Sequence, residues 1–276
     1  MRVALLFPIR NYEKKIPEIL LELNNKIQKD LSILGANHID VRFPGLDYSY
    51  VAVNESKENS PKGRNILDAL KNMPQPPNFV IICDGSGKIP YPYISEVFQE
   101  LISDSNASCV MAHRVKHKAI DNFRYLVERF EVFSLKRYHN YSKEIPDGQC
   151  GLWAFRCGKI QVNEKYEEIE LSSTGYEIEL DLLNQMLSKK LNFSFIEVDL
   201  PILPTTTAYA YKDNFEKLKF LCSKCNKLKD CLTEYLIEFE STNEFKEITK
   251  SMNKKEVKMW EDEYKLGLTN FIKSSI

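Results

Sequence analysis

The sequence has little that would mark a membrane, secreted or polyanion-binding protein. Its longest apolar runs, Val3–Phe7 and Phe79–Cys83, fall far short of the roughly 20 residues a membrane helix needs. After Met1-Arg2 the chain enters a strand-like run with no small-residue cleavage site, which reads as no secretory signal. Charge of either sign is not in excess. Lys and Arg number 38 against 39 Asp and Glu, a net charge of -1, so no global field recruits nucleic acid. Seven cysteines, an odd count spread along the chain, argue for reduced thiols in a cytoplasm rather than a disulfide scaffold. Two phosphate-binding signatures are also missing, GxxxxGK[ST] and GxGxxG, which removes the P-loop and the dinucleotide fingerprint. Neither an internal repeat nor a low-complexity tract is visible.

What remains is 276 residues, 43% hydrophobic and 28% charged, enough for one large domain or two small ones. Val3–Phe7 and Phe79–Cys83 are continuous apolar runs, as strands covered on both faces would be. Ser108–Ala112 reads as a third strand and Asn192–Val198 as a fourth. Between them, apolar residues fall at helical spacing. They are Ile16, Ile19, Leu20, Leu23 and Ile27, then Ile94, Val97, Phe98, Leu101 and Ile102, then Phe123, Leu126, Val127 and Phe130, then Tyr176, Leu180, Leu183 and Leu187. Strands alternating with helices predict an α/β fold with a mostly parallel sheet. Ligands in such sheets sit beyond the carboxyl ends of the strands. After Pro204 the composition shifts to Lys and Glu, with one Gly and no Pro. Residues 205–276 are predicted to form two or three helices, with Leu218, Leu221, Cys225, Leu228 and Leu232 as one helical stripe.

The segments after the strands carry the polar residues of interest. Arg10, Asn11 and Glu13 follow the first strand and suit a base and ribose, or an ordinary turn. Lys62-Gly63-Arg64 opens a helix and could clamp phosphates, or be surface cations. Asp84 directly follows the second buried strand, with Gly85, Ser86, Gly87 and Lys88 behind it. A carboxylate there can hold a divalent cation and a diphosphate, and the glycines let backbone amides approach. Residues 111–143 hold eight Lys and Arg against three Asp and Glu, a local excess that suits a phosphorylated ligand. His113 and His117 have i, i+4 spacing but no third ligand. Cys150, between Gly148 and Gly151, is a nucleophile or a small buried thiol. Glu177 and Glu179 stand at a helix start, as a general base or as capping residues. In the tail, Cys222, Cys225 and Cys231 evoke zinc, but no fourth Cys or His lies in residues 206–276, and no stoichiometric zinc is expected.

Taken in order, VALLFPIRNYE, PKGRNILDAL, FVIICDGSG, MAHR, DGQCGLWAFR, GYEIEL and IEVDLP resemble the family 2 glycosyltransferases. The pattern is most similar to the polyprenyl-phosphate, dolichol-phosphate mannosyltransferase-like branch. The resemblance covers residues 1–204 and implies a GT-A fold, a nucleotide-diphosphate sugar donor and inversion at the anomeric carbon. It assigns Pro8, Asn11, Glu13, Lys62, Arg64 and Asp84 to the donor. Ser86 and Lys88, where the chain departs from the family pattern, are read as donor-side residues because Lys88 could neutralise a leaving diphosphate. Asp84 matches the first Asp of the metal-binding D-x-D element, which implies a divalent cation, Mn or Mg. Ser86 stands where the second Asp would be, so metal dependence is expected to be weak. Asp147 and Glu177 are the catalytic candidates, Glu177 as general base. Arg114, Arg124, Arg129 and Gln149 are assigned to an acceptor that is a sugar, a phosphorylated molecule or a polyprenyl phosphate, with at most peripheral membrane contact. A non-catalytic binding or scaffold protein and a sugar nucleotidyltransferase remain as alternatives.

Overall fold

The computed structural model describes residues 1–8, 16–42, 66, 69–70, 77–85, 89–114, 122–156, 177–200 and 207–273. These cluster into two compact units, Met1–His113 with Cys150–Leu200, and Arg114–Gln149 with Pro201–Ile276.

The first unit is built on a sheet. β1 (Arg2–Leu6) is followed by α1 (Ile16–Glu22), which runs through a π-helical stretch, Leu23–Ile27, into α2 (Gln28–Ile33). β2 (His38–Arg42) and β3 (Phe79–Cys83) come next, then α3 (Pro92–Ser103) and β4 (Cys109–Arg114). The order of the six strands is β2-β1-β3-β5-β4-β6, with β5 at Leu152–Arg156 and β6 at Phe193–Val198. The sequence reading located β1, β3, β4 and β6. It missed β2 and β5, and β5 is the strand that breaks the parallel pattern. β1 pairs in parallel with β2 and β3, whereas β5 lies antiparallel between β3 and β4. Every residue of β3 and all of Val3–Leu6 are buried, as continuous apolar runs require when both faces of a sheet are covered. α3 begins at Pro92, where a missing N–H costs little. Its Phe98 meets Phe79 edge-on at 5.3 Å, and Ile94, Val97 and Leu101 are buried with it. The unit also contains the helix α5 (Ile178–Ser188).

In the second unit the long helix α4 (Asn122–Tyr138) is central. α5 belongs to the sheet unit, and the tail supplies α6 (Thr207–Lys224), α7 (Leu228–Ser241), α8 (Asn243–Lys250), α9 (Lys254–Lys258) and α10 (Leu266–Lys273), with a π-helical stretch at Met259–Lys265 before α10. Two or three helices are expected in residues 205–276, whereas the described residues there form five, α6 to α10, and the Leu218–Leu232 stripe is not one helix. α6 stops at Lys224, Lys227 takes a left-handed conformation at φ 71°, and α7 starts at Leu228. The five stripe residues are nevertheless all buried. α4 packs against α6, α7, α8 and α9, and Phe130 faces Phe239, Trp260 and Tyr264.

Candidate functional site

In the sheet unit, the carboxyl ends of β1 and β3 meet. Parallel pairing sets Leu6 beside Ile82, so Phe7-Pro8 and Asp84-Gly85 leave the sheet side by side. The Gly85 N–H donates to the Pro8 carbonyl at 3.2 Å. On the other side of β3, the antiparallel register of Cys83 with Leu152 brings Asp84 opposite Gly151. The Asp84 N–H donates to the Gly151 carbonyl at 2.9 Å. Asp84 is half-buried and follows a strand with no exposed residue. Its backbone is therefore fixed from both neighbouring strands.

Beneath this edge Phe7 meets Tyr91 edge-on at 6.3 Å. Burial, followed by the negative charge of Glu18, pushes the Tyr91 hydroxyl well above its ordinary pKa, so it stays protonated. β2 carries a bidentate pair. Arg42 donates through Nε and Nη2 to Asp40 at 2.8 and 2.9 Å.

Of the donor residues expected from the resemblance, Pro8 and Asp84 stand together at this edge. Asn11, Glu13, Lys62, Arg64, Ser86 and Lys88 lie outside the described residues. Glu177 directly precedes α5 and is half-buried, and its side chain does not cap the helix. Glu179 and Asp181 follow in the first turn, both buried. His113 meets Phe195 edge-on at 6.3 Å, and His117 lies outside the described residues. Cys150 is a buried thiol.

The second unit gathers the acceptor candidates into a buried polar network. Arg114 donates to both oxygens of Asp147, from Nε at 2.6 Å and from Nη2 at 2.8 Å. Asp147 also accepts from the Arg114 and Gln149 backbone N–H groups at 3.3 and 2.8 Å. Its carboxylate thus takes four hydrogen bonds. Glu128 accepts from Arg114 Nη2 at 2.7 Å and from Arg124 Nε at 2.8 Å. The Gln149 side chain donates to Glu131 at 2.6 Å and accepts from Lys217. Arg129 donates to Glu244 and to the carbonyls of Ile145 and Pro146. Three of the eight basic residues of 111–143, Arg114, Arg124 and Arg129, are held in these pairs. The i, i+4 spacing of Arg124 and Glu128 was a usable signal for their pairing, whereas Lys217, which donates to Gln149, comes from a distant part of the chain.

In the tail, burial and the neighbouring Cys225 push the Cys222 thiol up to about 12. Among the described residues no three His, Cys, Asp or Glu side chains are grouped to hold a metal ion. No helix among them is long and apolar enough to cross a membrane.

No family model and no curated protein sequence matches the chain. Solved structures do. The glucosyl-3-phosphoglycerate synthase of Mycobacterium tuberculosis, in complex with Mn2+, UDP-glucose and phosphoglyceric acid, superposes with a TM-score of 0.56 at 15% identity, covering 81% of this chain and 79% of that one. The same enzyme with Mn2+, UDP and glucosyl-3-phosphoglycerate gives 0.56 at 15%, over 81% and 80%. With Mn2+, UDP-glucose and glycerol 3-phosphate the values are 0.55 and 15%, again over 81% and 80%. At this identity the likeness establishes the fold. The chain has the GT-A architecture, a mixed six-stranded sheet flanked by helices.

Proposed function

We propose that the protein is a glycosyltransferase, moving a sugar from a nucleoside-diphosphate sugar to a phosphorylated acceptor. One observation carries the reading. A half-buried carboxylate, Asp84, is tied at the carboxyl end of the central strand β3 beside the end of β1, in a fold shared with an enzyme solved with Mn2+ and UDP-glucose. The ordered motif segments of residues 1–204 support membership of family 2 and inversion at the anomeric carbon. Residues 205–276 are proposed as a helical extension of that transferase domain.

The donor set at this place suits a divalent cation. Such an ion is commonly held by one or two carboxylates plus substrate phosphates rather than by an all-protein cage. Asp84 provides one carboxylate and would hold the ion together with the diphosphate. Bound there, the cation would supply neutralisation of the charge that builds on the departing nucleoside diphosphate. Lys88 and Arg64, which follow from the sequence, are proposed to add cationic contacts to the same diphosphate.

Glu177, half-buried and directly before α5, is proposed to take the proton of a hydroxyl acceptor, as the resemblance implies. Asp147 is less suited to that role, since four hydrogen bonds already engage its oxygens. We assign it to orienting Arg114. On the acceptor side, Arg124 keeps 33% of its side chain exposed against 9% for Arg114 and Arg129, and is the cation best able to meet an incoming phosphate. Phosphoglyceric acid and glycerol 3-phosphate, the acceptor-type molecules in the solved structures, share that phosphate with the polyprenyl phosphates of the resembled branch.

The test is binding followed by turnover. UDP with Mn2+ should raise the melting temperature of the wild-type protein, and Asp84→Ala should lose that shift and all transfer while keeping the wild-type far-UV spectrum. Unchanged turnover in a folded Asp84→Ala variant would remove Asp84 from the donor site. With a hydroxyl acceptor, Glu177→Gln should lower turnover by about 10²–10⁴-fold. A loss below tenfold would assign the base elsewhere.

A further inference from the structure

Gly151 stands in unusually close contact with the candidate donor carboxylate. Its φ is +87°, a conformation that glycine adopts at no steric cost. A methyl group built on its α-carbon would lie 2.5 Å from Asp84 Oδ2 and 2.7 Å from Asp84 Cγ. No real pair of atoms tolerates those separations, so the space that a side chain would fill is occupied by the Asp84 carboxylate. The backbone of the same glycine accepts the Asp84 N–H. Both residues directly adjoin the last register pair of β3 and β5, Cys83 with Leu152, so the antiparallel pairing brings them together.

We infer that Gly151 is a positioning residue for Asp84, the missing side chain leaving the carboxylate the one orientation in which it can meet a diphosphate and its cation. The inference rests on the donor-site reading above and goes beyond it. Where Ser86 replaces a second aspartate, one carboxylate carries the whole contact, and its direction matters more than it would in a pair. A side chain at position 151 displaces the Asp84 carboxylate, the movable end of a short side chain, before it displaces backbone. Misdirection of Asp84 is therefore the first consequence of substitution, ahead of unfolding.

A double-mutant cycle tests this. Affinity for UDP in saturating Mn2+ is measured for the wild type, Asp84→Ala, Gly151→Ala and the double variant, and melting temperatures are measured without ligand. Gly151→Ala is expected to weaken UDP binding by about the same factor as Asp84→Ala, and the double variant is expected to bind no worse than either. Without ligand, Gly151→Ala should melt lower than the wild type, and the double variant should melt higher than Gly151→Ala because the opposing carboxylate is gone. A Gly151→Ala protein that fails to fold while the double variant folds gives the same answer. Two multiplicative losses of UDP affinity, or a double variant less stable than Gly151→Ala, would overturn the inference while leaving the donor site in place. An Asp84→Ala variant that binds UDP as the wild type does would overturn the donor-site reading, and this inference with it.

Discussion

Glu128 and Glu131 lie one turn apart on α4, both buried, and their surroundings drive them in opposite directions. For Glu128, burial works to raise the pKa, but Arg114 and then Arg124 outweigh it and hold the carboxyl down at about 2. For Glu131 burial prevails over Lys217 and the Gln149 hydrogen bond, and the carboxyl is pushed up to about 8. Because the folded pKa of Glu131 lies above its unfolded value of about 4.3, the fold holds a proton that the unfolded chain has released. Its contribution to stability is complete below that unfolded value and is lost as pH rises towards about 8. Glu131→Gln should therefore flatten the fall in melting temperature between pH 5 and 9, leaving the variant the more stable protein at pH 9. A parallel pair of melting curves for variant and wild type would contradict this. Glu128 behaves in the opposite sense. Its contribution is present above the unfolded value and disappears as pH falls through about 2. Glu128→Ala, which leaves Arg114 with one carboxylate partner fewer, should cost about 3–5 kcal/mol in denaturant unfolding. These carboxyls were not legible in the sequence. A basic stretch with few acids reads as a surface for anions, and only three-dimensional packing shows that α4 is buried from Leu126 to Val132, which forces its charges into pairs.

At the scale of elements, legibility followed local signals. β1 and β3 are continuous apolar runs and were placed almost to the residue. β2 was not, because His38, Asp40 and Arg42 alternate with Ile39 and Val41 and present no apolar run. β5 has such a run, Leu-Trp-Ala-Phe, but it follows the glycine-flanked Cys150 and lacks a helix immediately before it. Its antiparallel direction cannot come from a pattern of alternating strands and helices. The break between α6 and α7 was hidden because Lys227, not glycine, occupies the left-handed position. That position costs a non-glycine residue roughly 1–2 kcal/mol, partly offset by the backbone freedom that glycine loses on folding. Lys227→Gly should raise the unfolding free energy by about 0.5–1 kcal/mol, and a loss of stability would show that the lysine side chain is needed there. α9 shows the reverse case, a helix start written plainly. The Asn253 side chain accepts the N–H groups of Lys255 and Glu256, and Glu256 returns a bond to the Asn253 N–H. Asn253→Ala should cost about 1 kcal/mol, read from chemical denaturation.

For the molecule as a whole, the net charge is near zero and the fold is of the GT-A kind. The order of the motif segments carried the fold correctly, since VALLFP, FVIICDG, MAHR and IEVDL each run through the end of a strand, β1, β3, β4 and β6. Substrate identity was less legible, because it depends on side chains that converge from distant parts of the chain. The central claim is that the protein transfers a sugar. Its most direct test is product analysis after incubation with radiolabelled UDP-glucose and Mn2+, with phosphoglyceric acid, glycerol 3-phosphate and a polyprenyl phosphate offered as separate acceptors. Labelled sugar is expected on one phosphorylated acceptor, with release of UDP. Release of pyrophosphate, or binding of UDP-glucose with no labelled product on any of these acceptors, would contradict the claim.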